Sequence, residues 1–124
     1  MQPYVRFDRV RRSFDGVSDV VRDLSLDVTK GEFLTLLGPS GSGKTTTLMM
    51  LAGFEQPDAG EIRLEGQSIT RVAPHKRNIG VVFQSFALFP HMTVAENVAF
   101  PLDVRGVARA VRREKVARAL EMVR

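Results

Sequence analysis

Residues Gly38-Pro39-Ser40-Gly41-Ser42-Gly43-Lys44-Thr45 match the pattern G-x-x-x-x-G-K-[ST] at every fixed position. That pattern requires a strand, a tight loop and a helix in this order. The preceding run, Phe33-Leu34-Thr35-Leu36-Leu37, is short and almost wholly apolar, as in a strand buried on both faces of a parallel sheet. The following residues, Lys44 to Ala52, read as a helix closed by Gly53. Each residue type in the loop has a physical reason. Glycines let the backbone fold tightly, so that successive N–H groups point at phosphate oxygens. The helix N-terminus adds its partial positive charge. Lys44 is placed to reach the β- and γ-phosphates of a nucleotide, and the Thr45 hydroxyl to ligate Mg²⁺. An ordinary Gly/Ser-rich turn is the plainer alternative. The complete match in the required context argues against it.

The rest of the chain supplies strands and helices around this loop. Tyr4 to Phe14 alternates loosely. So does Val20 to Val28, with Val20, Arg22, Leu24, Leu26 and Val28 on one face, and both segments read as strands. Lys30-Gly31 is a turn. After Pro57-Asp58-Ala59-Gly60 the strand pattern returns at Glu61 to Glu65, and Gly66-Gln67 turns again. Ile79 to Phe83 is a second buried-type strand. Thr93 and Glu96 form a capping box, predicting a helix that starts there and stops before Pro101. Arg109 to Arg124 reads as a last helix with Val111, Val116, Leu120 and Val123 as its buried face.

Composition narrows the function classes. Hydrophobic residues make up 44% and charged residues 26%, which is ordinary for a globular domain. No apolar run approaches the roughly 20 residues of a membrane-spanning helix, and the N-terminus has no signal-peptide block. The chain therefore reads as soluble and cytosolic. The lack of cysteine excludes disulfides and thiolate metal sites. The net charge of +4 is local: residues 105 to 124 carry +5 and the remainder −1. This is the solvated face of one predicted helix, without the motif that would accompany a nucleic-acid footprint, so no nucleic-acid partner is expected. His75 and His91 have no partners at metal-ligand spacing and read as polar contacts.

Two further segments join the loop to a family. One is Val82-Phe83-Gln84-Ser85-Phe86-Ala87-Leu88-Phe89-Pro90-His91-Met92-Thr93-Val94-Ala95-Glu96-Asn97, and the other is Arg12-Ser13-Phe14-Asp15-Gly16. With them the chain, from Tyr4 to Arg124, resembles the ATP-binding subunits of ABC transporters. The resemblance implies an α/β fold of the P-loop NTPase class and ABC ATPase type. An N-terminal antiparallel β-subdomain would lead into the start of a RecA-like core, all in one domain piece over residues 1–124. It implies ATP and Mg²⁺ as ligands. ATP would be held by Phe14 and by Gly38, Pro39, Ser40, Gly41, Ser42, Gly43, Lys44, Thr45 and Thr46. Mg²⁺ would be held by Thr45 and Gln84. Gln84, in the Q-loop, would also position the attacking water and signal nucleotide state to the membrane partner. Phe14 sits where the family places an aromatic that stacks on adenine, although a core position would suit it equally.

The implied partners are a second ATP-binding subunit, giving a dimer, and transmembrane permease subunits docking near Phe86 to Met92. The implied location is the cytoplasmic face of the cell membrane, held peripherally through the permease. Within the family the sequence is most similar to importers of the spermidine/putrescine type, through Pro74-His75-Lys76-Arg77-Asn78-Ile79-Gly80. The alternative is a soluble, non-transport ABC ATPase acting on ribosomes or DNA. The Leu-Ser-Gly-Gly-Gln signature, the apolar strand ending in Asp-Glu and the late switch histidine of the family are absent from these 124 residues. The expectation is an N-terminal fragment of an ATP hydrolase that binds Mg·ATP weakly and does not hydrolyse it. Its unpaired apolar strand, Phe33 to Leu37, would then be a site of aggregation.

Overall fold

The computed structural model describes residues 2–124. They form two units, the first running to Val81 and the second from Val82 to Arg124. The first unit is built on strands β1 (Val5–Ser13), β2 (Asp19–Val28), β3 (Ala59–Leu64) and β4 (Gln67–Ser68). They pair antiparallel in the order β2-β1-β3-β4. Helix α1 (Lys44–Ala52) packs with them and ends at Gly53, which takes φ 98° and donates its N–H to the Met49 carbonyl. Val5, Phe7, Val10, Val21, Met50, Ile62 and Ile69 form the core.

The loose alternation of β1 and β2 has a structural cause. Between the pairs Phe7–Leu26 and Val10–Leu24, β1 has one residue more than β2. Between Val10–Leu24 and Arg12–Val21 the extra residue lies on β2. Arg9 and Asp23 occupy these bulges at φ 48° and 44°. A bulge of one residue switches which side chains face inward. Phe7 and Val10 are therefore both buried although they differ in phase. On β2, Leu24, Leu26 and Val28 pack on the core, but the next inward residue is Val21, and Arg22 is exposed. The single face expected from Val20 to Val28 is corrected accordingly.

Two expected strands are absent among the described residues. Phe33 to Leu37 and Ile79 to Phe83 make no ladder. A strand exists through its neighbours, and none of β1 to β4 pairs with either segment. Phe33 and Leu37 are 95% and 96% exposed, so the apolar run does not have the two-sided burial its composition suggests.

Arg77 was not singled out by its sequence context, yet it is only 2% exposed. Its guanidinium donates to the carbonyls of Val72 (2.8 Å), Met50 (2.9 Å), Leu51 (3.0 Å) and Thr70 (3.3 Å). Burial pushes its pKa below the usual value, but arginine remains protonated regardless.

The second unit contains α2 (Val94–Val104) and α3 (Arg109–Val123). The capping box is present: the Glu96 N–H donates to Thr93 Oγ1, and the Thr93 N–H to Glu96 Oε1, both at 3.1 Å. The helix continues through Pro101, contrary to the expected stop. A proline removes its own N–H from the ladder and crowds the carbonyl four residues earlier, but it leaves later amides free to bond. The amides of Arg105 and Val107 still reach the carbonyls of Pro101 and Leu102, and Gly106 at φ 70° ends the helix. Helix α3 faces α2, with Arg112 paired to Asp103 at 2.6 Å. Only Val116 of its expected apolar face is buried; Leu120 is half-buried, and Val111 and Val123 are exposed. A single neighbouring helix covers a stripe too narrow for all four.

Candidate functional site

The loop from Gly38 to Thr45 leads directly into α1. It turns between Pro39 and Ser42, where the Ser42 N–H donates to the Pro39 carbonyl at 3.2 Å and Gly41 takes φ 81°. Gly43 precedes the helix at φ 90°, and no side chain caps the first turn. An added Cβ would lie 2.6 Å from the Val20 carbonyl oxygen at Gly43 and 2.7 Å from Ser42 Oγ at Gly38. Gly43 therefore requires glycine for both space and backbone, whereas at Gly38 the Ser42 hydroxyl could rotate away. Lys44 Nζ donates to the carbonyls of Gly38 and Pro39, so its charge closes the loop from within. Thr45 is exposed, Thr46 half-buried, and Thr47 buried with its hydroxyl donating to the Gly43 carbonyl at 2.7 Å.

Such a loop suits a polyphosphate: an uncapped helix N-terminus, glycines at positive φ, and an ammonium already at its mouth. No group of His, Asp or Glu residues able to hold a metal ion exists among the described residues.

The close approach of Gly43 to Val20 sets the start of β2 against the loop. Phe14 stands at the head of the turn that leads into β2. It is 57% exposed and lies outside the core cluster. The Arg12 guanidinium covers one face of its ring at 4.6 Å and is itself held by Glu55 (3.0 Å) and Asp58 (3.2 Å). Asp15 shapes the turn, accepting the N–H groups of Val17 and Ser18 at 2.7 Å and the Ser13 hydroxyl at 3.0 Å. Those backbone and hydroxyl donors hold its carboxyl below the usual range.

Gln84 belongs to the second unit, exposed at the start of a turn in which Phe86 and Ala87 take positive φ. The apolar cluster from Phe86 to Met92 divides in two. Phe89 packs on Phe100 with ring centroids 4.7 Å apart, while Phe86 is 73% and Leu88 69% exposed. Asn97, a residue whose role its sequence context did not reveal, fixes the inner half. Its Oδ1 accepts the Phe89 N–H at 2.9 Å, and its Nδ2 donates to the carbonyls of Phe89, Met92 and Thr93. His91 lies edge-on to Phe89 at 6.0 Å.

Comparison with known proteins finds relatives over nearly the whole chain. The model of the ABC transporter family matches residues 21–124. The spermidine/putrescine import ATP-binding protein PotA of Pseudomonas aeruginosa is 55% identical over 122 residues, covering 98% of this chain and 33% of that protein. PotA of Vibrio cholerae is 51% identical over 123 residues, covering 99% and 32%. A dimeric bacterial ABC transporter cassette superposes with a TM-score of 0.84 at 28% identity, covering 95% of this chain and 56% of the other. A bacterial Atm1-family ABC exporter with ATP bound gives 0.71 at 34% identity, covering 80% and 18%. The chain spans about a third of the length of the curated relatives it matches.

Proposed function

Because the chain belongs to the ABC transporter family, we propose that it binds Mg·ATP for the ATP-hydrolysing subunit of an importer of polyamines. The observation that carries nucleotide binding is the loop closed on Lys44 at the uncapped start of α1. The amides of the loop and first turn receive the phosphates, Lys44 leaves its loop carbonyls for the β- and γ-phosphate oxygens, and Thr45 offers its hydroxyl to the metal. Gly38 to Thr46 hold the chain to this shape. Gln84 contributes a side-chain amide to the metal and the water. The polyamine assignment rests on the PotA relatives, and their names do not favour the soluble, non-transport reading.

Adenine stacks on the face of Phe14 that Arg12 leaves free. Base–aromatic stacking is worth roughly 1–3 kcal/mol by alanine substitution. Phe14→Ala is therefore expected to weaken ATP binding five- to a hundredfold, on the order of that stacking energy. Phe14→Tyr and Phe14→Trp should bind nearly as well as the parent. Titration calorimetry measures this, and an unchanged affinity for Phe14→Ala would remove the stacking role. A ring face discriminates poorly between bases, so GTP should compete.

Dimerisation with a second ATP-binding subunit and docking of a permease complete the reading, with attachment to the cytoplasmic face of the membrane through the permease. Phe86 and Leu88 supply the exposed apolar contact, and Phe89 and Met92 support it from beneath. In the full-length protein, Phe86→Asp should leave soluble ATP hydrolysis intact and abolish co-purification with the permease, because a docking groove strongly disfavours an unpaired charge. Normal assembly of Phe86→Asp would exclude this surface. Phe89→Asp is the poorer probe, since it disrupts packing on Phe100.

A further inference from the structure

Arg77 has a surrounding that stability alone does not explain. A guanidinium taken out of water carries a desolvation cost of several kcal/mol, and no acid pairs with Arg77 among the described residues. A leucine or methionine would fill the volume without that cost. Carbonyls alone satisfy the charge, and two of them, from Met50 and Leu51, belong to the last turn of α1. That is the end of a helix where carbonyls lack intrahelical donors and the dipole is negative. The other two carbonyls, Val72 and Thr70, lie on the segment that follows β4. The planar fork thus bolts the carboxyl end of α1 to a fixed segment at four points. Gly53 makes room for it: a Cβ there would stand 2.7 Å from Arg77 Nε.

The opposite end of this nine-residue helix is the phosphate loop. Helices this short move as rigid rods, about 14 Å from end to end, and phosphate affinity depends on where the first-turn amides point. We propose that Arg77 is a positioning residue for phosphate binding. It touches no ligand, and it fixes the register and tilt of α1 so that the loop at its head is preset for the phosphate chain. The proposal rests on the nucleotide-binding reading given above.

The test separates positioning from folding. A variant that merely unfolds in part loses affinity for every nucleotide by the same factor. A variant whose loop is misplaced loses affinity in proportion to the phosphates it must hold. Titration of ATP, ADP and AMP, at a temperature where circular dichroism shows the variant folded, should find that Arg77→Met loses about fivefold or more for ATP, less for ADP and least for AMP. Arg77→Lys keeps the charge without the planar fork and should show a smaller loss with the same gradation. Equal losses for the three nucleotides, or an unchanged ATP affinity, overturn the proposal. If Arg77→Met does not fold, the same comparison on Arg77→Lys decides, with the same outcomes. A parent protein that binds ATP no better than Lys44→Ala refutes the nucleotide reading instead. Where ATP binding is intact, amide hydrogen exchange adds a second reading at Thr47, whose N–H bonds the Gly43 carbonyl at 2.9 Å. Faster exchange there in Arg77→Met, at equal global stability, supports the proposal, and faster exchange confined to Met50 to Ala52 overturns it.

Discussion

Replacing Gly60 by alanine is expected to remove about 2–5 kcal/mol of stability from the first unit, from left-handed backbone strain plus overpacking. Gly60 lies in β3 at φ 86°, opposite the bulge of β1. A Cβ there would stand 2.3 Å from the Arg9 carbonyl oxygen, 2.5 Å from its carbon and 2.6 Å from the Asp8 oxygen. All three are backbone atoms of the central strand, so none can rotate away. The two strands must separate or the bulge must be lost, and losing it turns Val10 out of the core. Whole domains are stable by only about 5–15 kcal/mol, so the loss is a large share. Gly16→Ala is the matched control: its φ is 77°, but nothing lies within 4 Å of the added carbon. It should cost only the backbone part, about 1–2 kcal/mol. Urea denaturation of both variants measures the difference. Equal midpoints would mean that the β1–β3 approach is looser than described.

Lys44→Ala is expected to weaken ATP binding at least tenfold, which is about 1.4 kcal/mol. In the proposed binding mode the ammonium makes charge-assisted bonds to the phosphate chain, and these are roughly twice as strong as neutral ones. In the free protein it donates to the Gly38 and Pro39 carbonyls, contacts that it gives up on turning to the phosphates, so the expected loss is net of that cost. Calorimetry on the purified variant provides the check. An affinity equal to the parent's would remove the loop from nucleotide binding altogether.

The parts of the fold that were legible beforehand are the local ones. Helix α1 and its Gly53 end follow from adjacent residues, as does the Thr93–Glu96 box, whose partners are three residues apart. The loop from Gly38 to Thr45 is legible for the same reason: its pattern resides in eight consecutive residues. Register is not local. Arg9 and Asp23 look like ordinary polar members of two strands, and only pairing reveals that each is the extra residue of a bulge. Arg77 sits beside His75 and Lys76, and no spacing signals that its partners are carbonyls 26 and 27 residues earlier. Pro101 shows the limit of a sound rule, since one missing donor does not end a helix whose later amides find acceptors. Phe33 to Leu37 has the composition of a buried strand, but composition supplies no neighbour to pair with.

Asn97 has a kinetic consequence. By ordering residues 89 to 93 through its amide, it makes the cost of stilling that segment part of folding rather than of association. On the docking surface proposed above, a partner arriving beside Phe86 and Leu88 would meet, in the segment that follows, a ledge already shaped. Preorganisation of this kind removes the slow conformational step from binding. Encounter and orientation would then set the on-rate, in the ordinary range of about 10⁵–10⁷ M⁻¹ s⁻¹, and the lifetime of the proposed complex would be set by how the exposed aromatic is gripped.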